Sequence, residues 1–189
     1  MMKEAYIICN GASRKEFDLS QLDDVITFGC NALYREWYPT FLVSIDPGIT
    51  KEIEKSDFPE LRHIVPPYEE QFEPIAYNPQ RPRSNAGMNA MIEAIKQGYD
   101  YLYVMGMDFL IVDNEFTLSN LYDGTDNYTL ETRATLNDQI ARVGYLEWFC
   151  NVHHSVTFRF VFPRDIKAIR PVKAPNVRGL FYDQMKIPG

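Results

Sequence analysis

Four turns in this sequence place small or polar residues at the ends of short apolar runs. These turns are Asn10-Gly11, Asn31, Asp46-Pro47-Gly48 and Gly106-Met107-Asp108. Short apolar runs are typical of buried parallel strands, and ligands of open α/β sheets collect beyond the carboxyl ends of such strands. Asparagine and glycine are also ordinary turn formers. Because four such turns would share one sheet edge, we interpret them as a polar ligand-binding crevice, with these substrate-binding candidates: Asn10, Gly11, Asn31, Asp46, Gly106 and Asp108.

A further polar group opens the helix that precedes the last of these turns. Four apolar residues recur with a helical period and predict a helix over roughly residues 86 to 97. Ser84 or Asn85 is the expected N-cap, and Gly98 suits the left-handed position that ends a helix. A helix N-terminus offers free N–H groups and a partial positive charge. Ser84, Asn85 and Gly87 are therefore candidates for holding a phosphate or a carboxylate.

The pattern along the rest of the chain predicts an α/β fold with a mostly parallel sheet and helices on both faces. Strands are expected over residues 5–9, 25–28, 41–45, 62–65, 101–105 and 156–162, and a second long helix over 136–152. The polar stretch 110–134 is expected to be a loop, and a long loop in a compact domain is typical of a lid. Residues 163–189 are expected to form an extended basic tail.

Two tyrosines and two aspartates in the expected lid could act on a ligand. Tyr122 and Tyr128 could stack on it or donate a hydrogen bond, and packing on the surface is the alternative. Asp123 and Asp126 flank a turn whose carboxylates could bind a cation beside a diphosphate. An Asx turn, in which the side chain caps its own backbone, explains the same residues.

Length, charge and cysteine content limit the classes of protein to consider. The chain has 189 residues, of which 46% are hydrophobic, and is expected to form a single domain over 1–189. The net charge of −7 and the lack of a basic run before the tail argue against nucleic-acid binding. Three widely spaced cysteines indicate reduced thiols. We expect neither a secretion signal nor a transmembrane span, and therefore predict a cytoplasmic protein.

The turns described above, taken with two longer blocks, resemble the bacterial family 42 sialyltransferases. The blocks are Ser84-Asn85-Ala86-Gly87 and residues 98–109, and the match also extends to the pterin-diphosphokinase-like proteins of related fold. The resemblance implies a Rossmann-like sheet that binds a nucleotide-activated sugar, with a CMP-linked donor favoured and no metal required for transfer. It also implies a glycan or small hydroxyl acceptor and a homo-oligomer.

Carried over by position, the resemblance gives several candidates a role. Asn10 and Asn31 would contact the phosphate and sugar of the nucleotide. Ser84 and Gly87 would hold the carboxylate of the donor sugar through a hydroxyl and a backbone N–H. Asp108 and the segment after it would border the base and the lid.

Three features depart from the family pattern, one of them being Ala12 in place of the usual proline. Asp46 stands where the family has an asparagine, and residues 110–137 contain none of the histidines that serve the family as a general base. Asp126 and Asp123 are the lid groups best placed to replace that base. A carboxylate can accept the proton of an acceptor hydroxyl if burial raises its pKa toward the working pH.

Three functions remain open from the sequence. The first is a sialyltransferase-like glycosyltransferase that uses a nucleotide-activated sugar. The second is an ATP-dependent diphosphokinase-like enzyme with a small hydroxymethyl acceptor, which would need Mg²⁺ held by Asp46, Asp108 or the turn Asp123 to Asp126. The third is a homologue that binds nucleotides without catalysing a reaction.

Overall fold

A computed structural model of the chain describes residues 1–67 and 85–188. Helical segments, several of them 3-10 helices, separate the strands along most of these residues. The strands are β1 (Glu4–Ile8), β2 (Thr27–Cys30), β3 (Phe41–Val43), β4 (His63–Ile64), β5 (Tyr101–Met105), β6 (Thr157–Phe162) and β7 (Val177–Phe181). The α-helices are α1 (Pro47–Glu54), α2 (Ala86–Lys96), α3 (Asn114–Thr117) and α4 (Leu136–Val152).

The seven strands form one sheet in the order β4-β3-β2-β1-β5-β6-β7. Every neighbouring pair is parallel, so the predicted α/β, Rossmann-like fold is confirmed. The chain first builds outward from β1 to β4 and then continues from β5 on the other side of β1. The strand order therefore reverses between β1 and β5, and a ligand crevice is expected beyond their carboxyl ends.

The sheet separates two apolar cores, and successive residues of β1 point into opposite ones. Ile7 packs with α2 and α4 on one face, whereas Ile8 packs with α1 on the other face. Both side chains are fully buried. The predicted helices on both faces are therefore present. Within the described ranges, no helix has the length and apolar character needed to cross a membrane.

The helix that opens beside the expected site follows its prediction closely. It spans Ala86–Lys96, and the side chain of Asn85 caps it by accepting a hydrogen bond from Met88 N at 2.9 Å. Gly98 follows with a φ of +90°, the left-handed conformation that ends a helix without a Cβ penalty. Strand β5 has the predicted bounds, 101–105.

Three expectations about secondary structure need correction. The strand predicted at 25–28 is displaced to Thr27–Cys30, so Gly29 and Cys30 belong to it. The expected lid, 110–134, contains α3 and a 3-10 helix, Leu130–Thr132, and is not structureless. The tail is not merely extended, because Val177–Phe181 pairs with β6 as the last strand. An edge strand such as β7 is half exposed, so its sequence lacks the apolar run of a buried strand.

Candidate functional site

The loops that follow β1 and β5 lie in direct contact at the point where the strand order reverses. Gly11 N donates to Gly106 O at 2.9 Å, and Cys9 N donates to Met105 O at 2.9 Å. Gly106 has a φ of +72°, and a Cβ there would lie 2.4 Å from Cys9 O. A Cβ at Gly11 would meet the Asp108 carboxyl at 2.3 Å. Both glycines are therefore needed for the two loops to approach each other.

Asp108 is buried between these loops, and its oxygens are bound by Ser13. The backbone N–H of Ser13 donates to Oδ2 at 2.8 Å, and the Ser13 hydroxyl donates to Oδ1. Burial raises the pKa of Asp108 from 3.8 to about 6, against the opposing effects of Ser13 and Arg14. The carboxylate also lines a cavity above the two loops. Its main contacts hold β1 and β5 together.

A buried arginine next to Asp108 organises the same loops, and it was not among the sequence candidates. Arg14 is 3% exposed and donates from Nε to Cys9 O at 2.8 Å and from Nη2 to Asn10 Oδ1 at 2.9 Å. Asn10 in turn donates from Nδ2 to Cys30 O at 2.8 Å. The Asn10 side chain therefore joins β1, β2 and Arg14. Only the place of Arg14, one turn beyond a strand end, could have indicated it from sequence.

A small inner chamber of about 170 Å³ opens above these loops. Gly87 in the first turn of α2 lines it, and a Cβ at this position would lie 2.5 Å from Cys9 Sγ. Asn31 lines it from the end of β2, with a left-handed φ of 55°. Its Oδ1 is buried and accepts no hydrogen bond from the described residues. Arg142 of α4 completes the wall.

An outer chamber of about 470 Å³ adjoins the inner one. The two share four lining residues, Ser119, Asn120, Gln139 and Arg142. The outer chamber is lined by Asp46, Asp123, Tyr128 and Arg133. Asp123 Oδ2 lies 3.6 Å from Arg133 Nη1. Gln139 and Arg142 stand three residues apart on one face of α4. That spacing is the sequence signal that could have identified them.

Side chains from the other side of the cleft hold the turn over residues 122–128 in place. Arg35 donates to both oxygens of Glu52, and also to Thr125 Oγ1 at 2.9 Å and to Asp126 O at 2.9 Å. Asn127 Nδ2 donates to Glu52 Oε1 at 3.0 Å. The expected lid turn is therefore docked against α1 and the 3-10 helix Asn31–Arg35.

Some of the remaining sequence candidates line a chamber, and others do not. Tyr128 lines the outer chamber, and burial raises the pKa of its hydroxyl. Tyr122 is buried away from both chambers, donates to Glu36 and accepts from Arg14 at 3.1 Å. Asp126 is exposed and lines neither chamber. Asn85 lines the inner chamber, whereas Ser84 lies outside the described residues.

The described residues form no preassembled metal site. In residues 1–67 and 85–188, no three His, Cys, Asp or Glu side chains come together. Asp46 and Asp108 line different chambers, and the oxygens of Asp108 are engaged by Ser13. Asp46 and Asp108 therefore do not share one cation site.

Comparison of the chain with protein-family models, with curated proteins and with solved structures finds no match in any of the three. The fold and the geometry of the two chambers are therefore the basis for a functional proposal.

Proposed function

We propose that this protein is a glycosyltransferase-like enzyme that binds a nucleotide-activated sugar, with a CMP-linked donor favoured, in the two-chamber cleft. The observation that carries the proposal is the inner chamber. There the N-terminus of α2, the Arg142 side chain and Asn31 line one small cavity, and the buried Oδ1 of Asn31 accepts no hydrogen bond from the described residues. The first two groups attract an anion, and the third needs a hydrogen-bond donor. A phosphate bonded to a hydroxylated sugar meets both demands.

The size difference between the chambers supports a division of the ligand between them. The inner chamber, about 170 Å³, suits a phosphate group and its nearest hydroxyl. The outer chamber, about 470 Å³, has room for a ring system and offers the Tyr128 ring beside it. Arg142 borders both chambers and would contact the phosphate from the outer side.

Asp123 is the better of the two proposed general bases. Its carboxylate lines the outer chamber, where it faces Arg133, and its side chain is 21% exposed. Asp126 does not line that chamber. In the proposed reaction, Asp123 accepts the proton of the acceptor hydroxyl as that oxygen attacks the donor sugar and the nucleotide leaves. Diphosphate transfer through Mg²⁺ is left to the ATP test below, because Mg²⁺ can bind through one or two carboxylates and the substrate phosphates.

Titration calorimetry with CMP-, UDP- and GDP-linked sugars tests the donor site. We expect at least one of them to bind, and Arg142→Gln to weaken it about tenfold by removing a charged hydrogen-bond donor. Asn31→Asp keeps the shape and tolerates the left-handed backbone, and its added charge should repel the phosphate to a similar degree. The matched control is Arg178→Gln on the exposed edge strand β7.

The outcomes separate the three functions left open by the sequence. If none of the three donor classes binds at millimolar concentration, the donor site is wrong. If a donor binds but Asp123→Asn does not change its hydrolysis or transfer, catalysis by Asp123 is wrong, and a non-catalytic binding role is favoured. ATP binding that depends on Mg²⁺ would favour the diphosphokinase function instead.

A further inference from the structure

A second cavity lies beyond the carboxyl ends of β6 and β7, outside the two-chamber cleft. Its volume is about 680 Å³, larger than either chamber, and it shares no lining residue with them. We name it the aromatic pocket. Its lining residues come from four segments, within 12–21, 115–116, 163–165 and 182–183. No part of the proposed donor site accounts for it.

Three half-buried rings give the aromatic pocket an apolar wall. Phe17 and Tyr182 stack with ring centroids 4.8 Å apart and planes 24° from parallel, and Phe116 of α3 also lines the pocket. Rings held in place by stacking present a flat surface at little entropic cost. A flat ligand with an apolar face would pack on such a wall.

The lining of the aromatic pocket is more acidic than that of the cleft. Arg164 is neutralised by a bidentate pairing with Asp183. The remaining charged side chains on the rim are Lys15, Glu16, Asp18, Glu115 and Asp165, which leaves an excess of negative charge. Carboxylates accept hydrogen bonds from hydroxyl groups and repel phosphates. The rim therefore disfavours the anionic ligand proposed for the cleft and favours a ligand with several hydroxyls.

Ser13 connects the aromatic pocket to the cleft. It lines the aromatic pocket, and its hydroxyl donates to Asp108, which lines the inner chamber. One hydrogen-bonded pair thus stands between the two cavities. The two sites are distinct, and their occupants would lie on opposite sides of the same pair.

We propose that the aromatic pocket is a second binding site that takes an uncharged carbohydrate. A pyranose has one apolar C–H face, which would pack on Phe17. The hydroxyl groups along its edge would donate hydrogen bonds to the rim carboxylates. This proposal does not require a nucleotide in the cleft, so it can fail or succeed independently of the proposed donor site.

Chemical-shift mapping on the ¹⁵N-labelled full chain tests the proposal with four probes: methyl glucoside, glucosamine, glucose 1-phosphate and putrescine. We expect methyl glucoside, the uncharged probe, and glucosamine, the same ring with an ammonium group, to shift residues 12–18 and 115–116 and to leave Gly87 and Asn31 unchanged. Glucose 1-phosphate should bind this pocket more weakly than the uncharged sugar, because the rim repels it.

Phe17→Leu should weaken methyl glucoside binding about fivefold, since it removes the aromatic face but keeps an apolar side chain. The matched control is Phe41→Leu, which alters a half-buried ring stacked on Phe28 at 5.0 Å on the other face of the sheet. Equal losses in the two variants would overturn the proposal, as would sugar shifts confined to the cleft. Binding of putrescine without either sugar would show an amine site and would also overturn it.

Discussion

The inner and outer chambers meet at one sheet edge, yet they are held together by different kinds of contact. The inner chamber is formed by strand ends and the first turn of α2, which backbone hydrogen bonds and close glycine approaches fix in place. The outer chamber is formed largely by residues 118–134, which side chains attach to the rest of the fold. Arg35 and Glu52, the main attachment, are 25% and 23% exposed.

This difference indicates how the cleft divides its work. Buried backbone contacts open only with large parts of the fold, whereas contacts between partly exposed side chains break at low cost. The inner chamber is therefore suited to a group of fixed shape, such as a phosphate. The outer chamber can adjust to the part of the ligand that varies, because its wall can move without unfolding the sheet.

Replacing one left-handed glycine by alanine in each region gives the largest expected contrast in the free energy of unfolding. Gly106→Ala would add a Cβ 2.4 Å from Cys9 O at a φ of +72°. We expect it to lower the free energy of unfolding by about 3 to 5 kcal/mol, from backbone strain and overpacking together. Gly124→Ala has a similar φ of +83° but nothing within 4 Å of the new Cβ, so it should cost about 1 kcal/mol.

Urea unfolding of the two variants measures this contrast. Circular dichroism at low denaturant would confirm that each variant starts from a folded state. If Gly124→Ala cost as much as Gly106→Ala, the turn over residues 122–128 would be as rigidly built as the strand ends. The distinction between the chambers would then be lost.

The same distinction explains what the sequence could predict. The inner chamber follows from local signals: apolar runs that end at Asn10, Asn31 and Gly106, and a helix that Asn85 caps. Each signal involves a few neighbouring residues, and the parallel sheet brings them to one edge. The fold class and the bounds of α2 and β5 were predictable for this reason.

The outer chamber depends on contacts between distant residues, which no local pattern encodes. Arg35 and Thr125 are 90 residues apart in sequence, and Tyr122 and Glu36 are 86 apart. These contacts turn Tyr122 inward and leave Asp126 exposed, although both were expected at the ligand. Strand β7 was missed because it is a half-exposed edge strand that pairs only with β6, so its sequence contains no apolar run.

Asp108 provides a test of the inner region that depends on pH. Its pKa in the folded protein is raised from 3.8 to about 6 by burial. Between these values the folded state keeps a proton that the unfolded state has lost, so stability falls as the pH rises through this range. The penalty is complete above about pH 6 and amounts to about 2 to 3 kcal/mol.

Asp108→Asn should remove this pH dependence, because an amide has no charge to bury and can keep both contacts with Ser13. In urea unfolding between about pH 4 and pH 7, the free energy of unfolding of the variant relative to the parent protein should rise by that amount as the pH rises. Asp126→Asn, at the exposed turn, is the control, and its curve should follow that of the parent. A constant difference between Asp108→Asn and the parent would mean that burial of this carboxyl has no energetic effect.

Arg35→Gln gives the smallest expected change and tests the outer region directly. It removes the ion pair with Glu52 and the two hydrogen bonds to the turn over residues 122–128. We expect a loss of about 1 kcal/mol and hydrogen exchange about fivefold faster in that turn, with no change at Gly11 or Gly106. Arg164→Gln, which removes a bidentate ion pair far from the cleft, should leave exchange in the turn unchanged. If exchange accelerated at Gly11 and Gly106 as well, the two chambers would open as one unit, and a ligand could not adjust the outer wall while the inner wall stayed fixed.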